Sequence, residues 1–215
     1  MGIKFLTLRK LMTIAGINLM STCNEGRTPL IWAAYLGRSR CVEILANELT
    51  HKEINTSDLD GQNAIIYAAQ KNHGKSLEIL LAYQADINST GYRKLSVLSI
   101  AIQSQSLDAI LILKEIHNNP ESEHQITDLH QSLMHLVKQD ELTVFSYEDG
   151  TETTLLDALF DFEGIDSVIN RGDTRGKTAL MLAEEQNDIE TFKQLLNLGA
   201  DVNILDAQKW TVLHW

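Results

Sequence analysis

The 215-residue chain carries 29 acidic against 18 basic side chains, a formal net charge of −11, so phosphate-driven nucleic-acid binding is a poor fit. A hydrophobic share of 44%, a charged share of 22% and only two prolines describe a globular protein rather than a disordered or collagen-like one. Cys23 and Cys41 form neither a CxxC pair nor a disulfide framework, which points to a reducing compartment, and no apolar run approaches the ~20 residues needed to span a bilayer.

The chain opens with MGIKFLTLRK followed by the apolar LMTIAGINLM, the outline of a signal peptide. Phe5, Leu8, Leu11, Met12 and Ala15 nevertheless share one helical face, so an N-terminal amphipathic helix is expected and no targeting signal is read. Beyond it one frame recurs: GRTPLIWAA (Gly26–Ala34), GQNAIIYAA (Gly61–Ala69), KLSVLSIAI (Lys94–Ile102, its glycine lost), GKTALMLAE (Gly176–Glu184) and KWTVLHW (Lys209–Trp215). The third residues of these strings are Thr28, Asn63, Ser96, Thr178 and Thr211, separated by 35, 33, 82 and 33 positions. A second marker, a branched apolar residue plus Asn, recurs at Ile54-Asn55, Ile87-Asn88, Ile169-Asn170 and Val202-Asn203, each Asn eight residues before the next third residue.

Each Thr, Ser or Asn can cap a helix, and Pro29 stands at the first helical position, where its missing N–H costs nothing. Ala33-Ala34 and Ala68-Ala69 keep the first helix narrow, while Ile44-Leu45, Ile79-Leu80-Leu81 and Leu195-Leu196 are expected to form the buried face of the second. No such unit buries that face alone, so units must stack.

RTPLIWAAYLGRSRCVEIL and KTALMLAEEQNDIETFKQLLNLGADVN closely resemble the ankyrin-repeat family. The resemblance implies an all-α fold, a solenoid of paired antiparallel helices with hairpin loops and one irregular repeat. The expected organisation is an N-terminal helix or partial repeat at 1–20, repeats at 21–55, 56–88 and 89–117, a degenerate repeat at 118–170 with an insertion at about 139–152, a repeat at 171–203, and the start of another at 204–215. In the irregular part a first helix is expected near 127–138, a hairpin around Asp149-Gly150, and a second helix near 153–162; the rival is a short separate repeat beginning at TTLLDAL. The final frame stops within a helix start, so the natural chain is expected to continue past Trp215.

In ankyrin proteins the hairpin tips and adjacent faces of the first helices form a concave binding surface. Carried over position by position, the resemblance implies partner-binding residues Arg27, Tyr35, Asp60, Lys71, Tyr92, Arg93, Arg175, Lys177 and Trp210. Basic residues outnumber acidic ones here, against the balance of the whole chain, and Tyr, Trp and Arg dominate interface hot spots.

Other candidates are weaker. The spacing of His117, His124, His130 and His135 does not stack imidazoles on one helical face, so they are expected as surface residues with no metal site. Asp173 of the Arg171-Gly172-Asp173 tripeptide takes the frame position of Asp58 and Asp206, so turn chemistry explains it. The sequon asparagines Asn55 and Asn88 are frame residues too. Neither cysteine has the His/Asp company of a nucleophile.

The expectation is a non-catalytic protein–protein interaction module in the cytoplasm, with no cofactor, metal, nucleic acid, membrane or small-molecule substrate, and a protein partner of unknown identity. The alternative is the substrate-recruiting N-terminal part of a larger enzyme or bacterial effector whose catalytic domain lies beyond Trp215. Its low proline and high Asn, Gln and Ile content leans toward proteins delivered into a host cytosol. A third possibility places function in the 118–152 segment.

Overall fold

A computed structural model describes residues 17–138, 144–146 and 152–214. Most of the expected N-terminal helix, the Asp149-Gly150 turn and Trp215 lie outside the described residues. Two compact units divide the chain, Met1–Ile112 and Leu113–Trp215.

The first unit contains α1 (Pro29–Tyr35), α2 (Ser39–Ala46), the single-turn α3 (His51–Ile54), α4 (Ala64–Gln70), α5 (Gly74–Ala82), α6 (Val97–Gln103) and the beginning of α7 (Leu107–Asn118), within which the division falls. The frame residues start the helices as their chemistry requires. Thr28 accepts from the Ile31 N–H at 3.3 Å, Asn63 from Ile66 at 3.3 Å and Ser96 from Ser99 at 3.1 Å. The helices also stop alike. Gly37, Asn72 and Gln105 take left-handed φ values of 64°, 54° and 53°, and the next N–H returns five positions: Arg38 to Ala33 O, His73 to Ala68 O, Ser106 to Ala101 O. This closure satisfies carbonyls that a helix end leaves open and turns the chain into the next helix within three residues.

Helix α1 packs on α4 and α4 on α6, while α2 packs on α5. Ala33, Ala34, Ala68, Ala69 and Ala101 are buried between these neighbours, with Leu30, Ile31, Ile65, Ile66, Leu77, Leu80, Leu98 and Ile102. Each such aliphatic side chain contributes roughly 1.5–3 kcal/mol through burial. The Asn marker stitches successive repeats: Asn55 Oδ1 accepts from the Asp86 N–H at 2.9 Å while its Nδ2 donates to His51 O at 2.9 Å.

The second unit holds α8 (Leu129–Val137), strands β1 (Val144–Ser146) and β2 (Glu152–Thr154), α9 (Leu155–Phe160), α10 (Ile165–Val168), α11 (Ala179–Glu185) and α12 (Ile189–Asn197). β1 and β2 pair antiparallel with Phe145 opposite Thr153. Thr154 begins α9 with a capping box, its hydroxyl accepting from the Asp157 N–H at 3.0 Å and the Asp157 carboxylate accepting from the Thr154 N–H at 2.9 Å. Helix α8 packs against α11, and α9 and α10 pack against α8. Thr178 caps α11, and Asn187 (φ 57°) ends it with Asp188 N–H on Ala183 O. Asn170 repeats the stitch of Asn55, accepting from the Asp201 N–H at 2.8 Å.

Three expectations about burial need correction. Ile44 and Ile79 are only half-buried beside the buried Leu45, Leu80 and Leu81. Leu195 is fully buried, but Leu196 is 38% exposed, because a helix turns its neighbours 100° apart and α12 packs on α11 through the Leu195 side. His117 is not a surface residue. It is buried on the ring of Phe162, centroids 5.7 Å apart, its Nδ1 accepts from the Ile126 N–H at 3.0 Å, and its Nε2 lies 3.0 Å from Glu163 O. Both ring nitrogens therefore serve as local backbone partners.

Candidate interaction surface

Five turns share one geometry, and they carry most of the residues implied as partner-binding. In each, the first residue donates its N–H across the turn and receives one back: Cys23 with Arg27 O and Gly26 N, Asp58 with Gln62 O and Gly61 N, Gly91 with Leu95 O and Lys94 N, Asp173 with Lys177 O and Gly176 N, Asp206 with Trp210 O and Lys209 N. The fourth position of each turn, Gly26, Gly61, Lys94, Gly176 and Lys209, is left-handed, with φ of 76°, 75°, 59°, 75° and 64°. Where the first residue is Asp, its carboxylate locks the turn. Asp58 Oδ1 accepts from the Asp60 and Gln62 N–H groups, Asp173 from Arg175 and Lys177, Asp206 from Gln208 and Trp210, all at 2.8–3.0 Å.

In the first unit Arg27, Tyr35 and Lys71 come together. The Arg27 guanidinium lies 5.0 Å from the Trp32 ring, 5.2 Å from Tyr35 and 5.0 Å from Tyr67. Its Nη2 donates to Tyr67 Oη at 3.0 Å, its Nε to Asp58 Oδ2 at 3.3 Å, and its Nη1 pairs with Glu25 at 2.7 Å. Tyr67 in turn donates to Asp58 Oδ2 at 2.8 Å. Burial, and then the Asp58 carboxylate, push the Tyr67 phenol up to about 12. Arg27 is thus a joint between the first and second tips rather than an open contact. Lys71 holds its ammonium 5.2 Å above the Tyr35 ring with its side chain exposed.

Asp60 is exposed on the second tip beside Leu59, which is 79% exposed. Leu59 lies over Gly26, where an added Cβ would come within 2.9 Å of Leu59 Cγ and of its backbone nitrogen. Tyr92 on the third tip is 62% exposed, and the Arg93 guanidinium lies over its ring, 5.3 Å from the centroid.

In the second unit Arg175 is exposed, its carbonyl accepting from the Ala207 N–H at 2.9 Å. Lys177 is less open than its neighbours on this tip. The residue is only 9% exposed and its ammonium sits 2.9 Å from Glu185. It follows the left-handed Gly176, which turns its side chain back along α11 toward that carboxylate. Trp210 is exposed and stacked on His214, centroids 6.5 Å apart. An open groove of about 610 Å³ runs beside α8, lined by His130, Met134, His135, Lys138, Asp173 and Thr174 among others. Burial, with Lys138 nearby, lowers the His135 pKa.

The family model for ankyrin repeats in three copies matches residues 4–91 and 48–128, and the single ankyrin repeat matches 175–207. The chain belongs to the ankyrin-repeat family. Its fold is the all-α ankyrin solenoid, and ankyrin repeats are generally protein–protein interaction modules. The ankyrin repeat protein FPV244 of fowlpox virus is 27% identical over 176 residues, 80% of this chain and 18% of the relative. The ankyrin repeat protein nuc-2 of Neurospora crassa is 24% identical over 204 residues, 93% of this chain and 17% of the relative. The chain thus spans less than a fifth of either. The crystal structure of the ankyrin repeat domain of Bcl-3 superposes with a TM-score of 0.71 at 20% identity, over 96% of this chain and 85% of that one. That likeness carries the fold alone.

Sequence reasoning missed Asp58, Tyr67 and Trp32 as the partners of Arg27, and it missed Lys94. The signal for Lys94 was present: it stands where the repeat frame loses its glycine.

Proposed function

We propose that this chain is a non-catalytic platform that holds a protein partner on its hairpin tips and the adjoining ends of its first helices. The observation that carries the reading is the set of large apolar side chains standing outside the core of the first unit. Leu36, at the C-cap of α1, Leu59 and Tyr92 are each at least half exposed, whereas none of the large aliphatic residues within this unit's helices is exposed to that degree. Apolar and aromatic groups left in water on tips are affordable where a partner covers them. Recruitment for a catalytic domain elsewhere in a longer protein is the second reading; its support is that the relatives are more than five times longer than the matched region.

The test is partner capture with the whole chain, comparing the wild type with Leu59→Glu/Tyr92→Glu after circular dichroism shows equal helicity. A partner retained by the wild type and lost by the variant is expected. Equal retention by both would remove the tips of the first unit from the interface.

A further inference from the structure

The five tips share a backbone but not a charge. The first pairs Glu25 with Arg27; the second carries Asp58 and Asp60; the fourth has Asp173 beside Arg175, and the fifth Asp206 beside Lys209. The third tip alone has no carboxylate. Gly91 stands where three other tips have Asp, Arg93 stands where the second has Asp60, and Lys94 stands where three tips have Gly. The backbone differs too: this turn alone among the five places two consecutive side-chain-bearing residues in the left-handed region, Arg93 at φ 60° and Lys94 at φ 59°.

Glycine takes that conformation at no steric cost, and Lys does not. The turn forms equally well with glycine, since Gly61 and Gly176 donate to the first residue of their tips as Lys94 donates to Gly91. The turn therefore does not require Lys94; Lys209 takes the same position of the fifth tip at φ 64°, but only here does a second strained side-chain-bearing residue, Arg93, precede it, and a doubly strained backbone kept without structural need points to use of the side chains. Among the described residues no carboxylate pairs with Arg93 or Lys94, and both are exposed. The Arg93 guanidinium carbon stands 5.3 Å over the exposed Tyr92 ring, a cation–π contact that holds the guanidinium while leaving N–H donors available for a two-point contact with a carboxylate.

We propose that the Tyr92-Arg93-Lys94 tip is an acid-reading contact that takes a carboxylate-bearing segment, Glu- or Asp-rich, of a partner protein. The inference rests on the protein-interaction reading and gives its partner a chemistry. A short acidic segment fits this isolated patch, because charges beyond about 8 Å are screened at physiological salt. A long uniform polyanion such as nucleic acid would lie along the acidic remainder of a chain with net charge −11 and meet repulsion there.

The experiment is fluorescence anisotropy with the full chain and labelled peptides of equal length, alternating Glu-Gly, Ser-Gly or Lys-Gly, alongside labelled oligo-dT. The chain is compared with Arg93→Asn/Lys94→Gly, which keeps residues tolerant of left-handed backbone, and with Arg38→Ala/Lys52→Ala, which removes the same charge from exposed sites of the same unit. The acidic peptide should bind best, and the tip variant should weaken it about fivefold to tenfold, the range that two exposed charge pairs reach, while the control double variant leaves it unchanged. Equal loss in both double variants would reduce the effect to bulk charge and overturn the proposal. So would preference for oligo-dT through the same residues, or an acidic peptide held no better than Ser-Gly. Those outcomes leave the broader interaction reading standing, since capture sensitive to Leu59 and Tyr92 tests it separately.

Discussion

Arg27 and Tyr67, forty residues apart, share one carboxylate: Arg27 Nε lies 3.3 Å and Tyr67 Oη 2.8 Å from the same Asp58 oxygen, and Arg27 also donates to Tyr67 at 3.0 Å. The first tip, the second tip and helix α4 are therefore fastened by a single polar joint, under three aromatic rings. The Asp58 side chain is almost wholly buried within it. A charge removed from water is tolerated only while its partners stay in place.

Arg27→Ala should accordingly destabilise the chain by about 3 kcal/mol, the usual cost of breaking one side of a buried pair. The midpoint of urea unfolding checks it. Arg27→Lys should recover only part of the loss, because an ammonium cannot offer the planar fork that reaches Tyr67, Asp58 and Glu25 at once. A midpoint unchanged by Arg27→Ala would show that the joint is decorative and would return Arg27 to the list of free contacts.

The same joint gives a pH signature. The Tyr67 phenol is raised from its ordinary value of 10 to about 12, so the protonated form is favoured in the folded state. The stability this supplies is fully present below pH 10 and is lost as pH rises through about 12. Ultraviolet difference titration should resolve one of the five tyrosines ionising last, and Tyr67→Phe should remove that step. Five tyrosines titrating together would contradict the joint.

How much of this was legible in the sequence depends on how local the determinant is. Thr28, Asn63, Ser96 and Thr178 announce their helices because a capping side chain reaches an N–H only three residues away. The alanine pairs and the Asn55 and Asn170 stitches follow a period, and period survives without coordinates. Arg27 was visible as a tip residue, but its partner Asp58 sits on the neighbouring tip and Tyr67 on the next first helix, so only the fold shows that its donors are spent. The pairing of Lys177 was hidden for a related reason: Glu185, eight residues on, is brought to it by one face of α11. His117 was invisible because its environment, Phe162 and the Glu163 carbonyl, comes from more than forty residues away, across the irregular segment that no period organises.

Lys94→Gly should raise stability by roughly 0.5–1 kcal/mol. Relief of a left-handed side-chain-bearing residue is worth about 1–2 kcal/mol, partly offset by the greater freedom of glycine in the unfolded chain. Thermal unfolding checks the sign. A loss of stability would mean that the Lys94 side chain supports the turn, and the case for its use by a partner would lose its premise.

His117→Ala should cost about 2–4 kcal/mol, since it empties a packed site against Phe162 and strands the buried Ile126 N–H, besides removing the partner of the Glu163 carbonyl. His124→Ala, at a half-buried position, should cost less. Chemical denaturation of the two variants separates them; equal midpoints would place His117 outside the core of the second unit.

Adjacent leucines in α12 offer the sharpest test of the packing. Leu195 is fully buried and Leu196 is 38% exposed, though both are leucines in the same helical turn, with the same propensity and the same chemistry. Leu195→Ala should lose about 2–5 kcal/mol, the transfer term plus a cavity that rigid neighbours cannot close. Leu196→Ala should lose less than about 1 kcal/mol, because its partial exposure leaves little transfer energy to forfeit and no enclosed cavity to form. Alanine also favours the helix slightly over leucine, which narrows the second loss further. Measured by urea unfolding under one condition, the two midpoints should differ clearly. A Leu196→Ala loss equal to that of Leu195→Ala would mean that this face of α12 is covered in solution, and that the repeat stack extends over it.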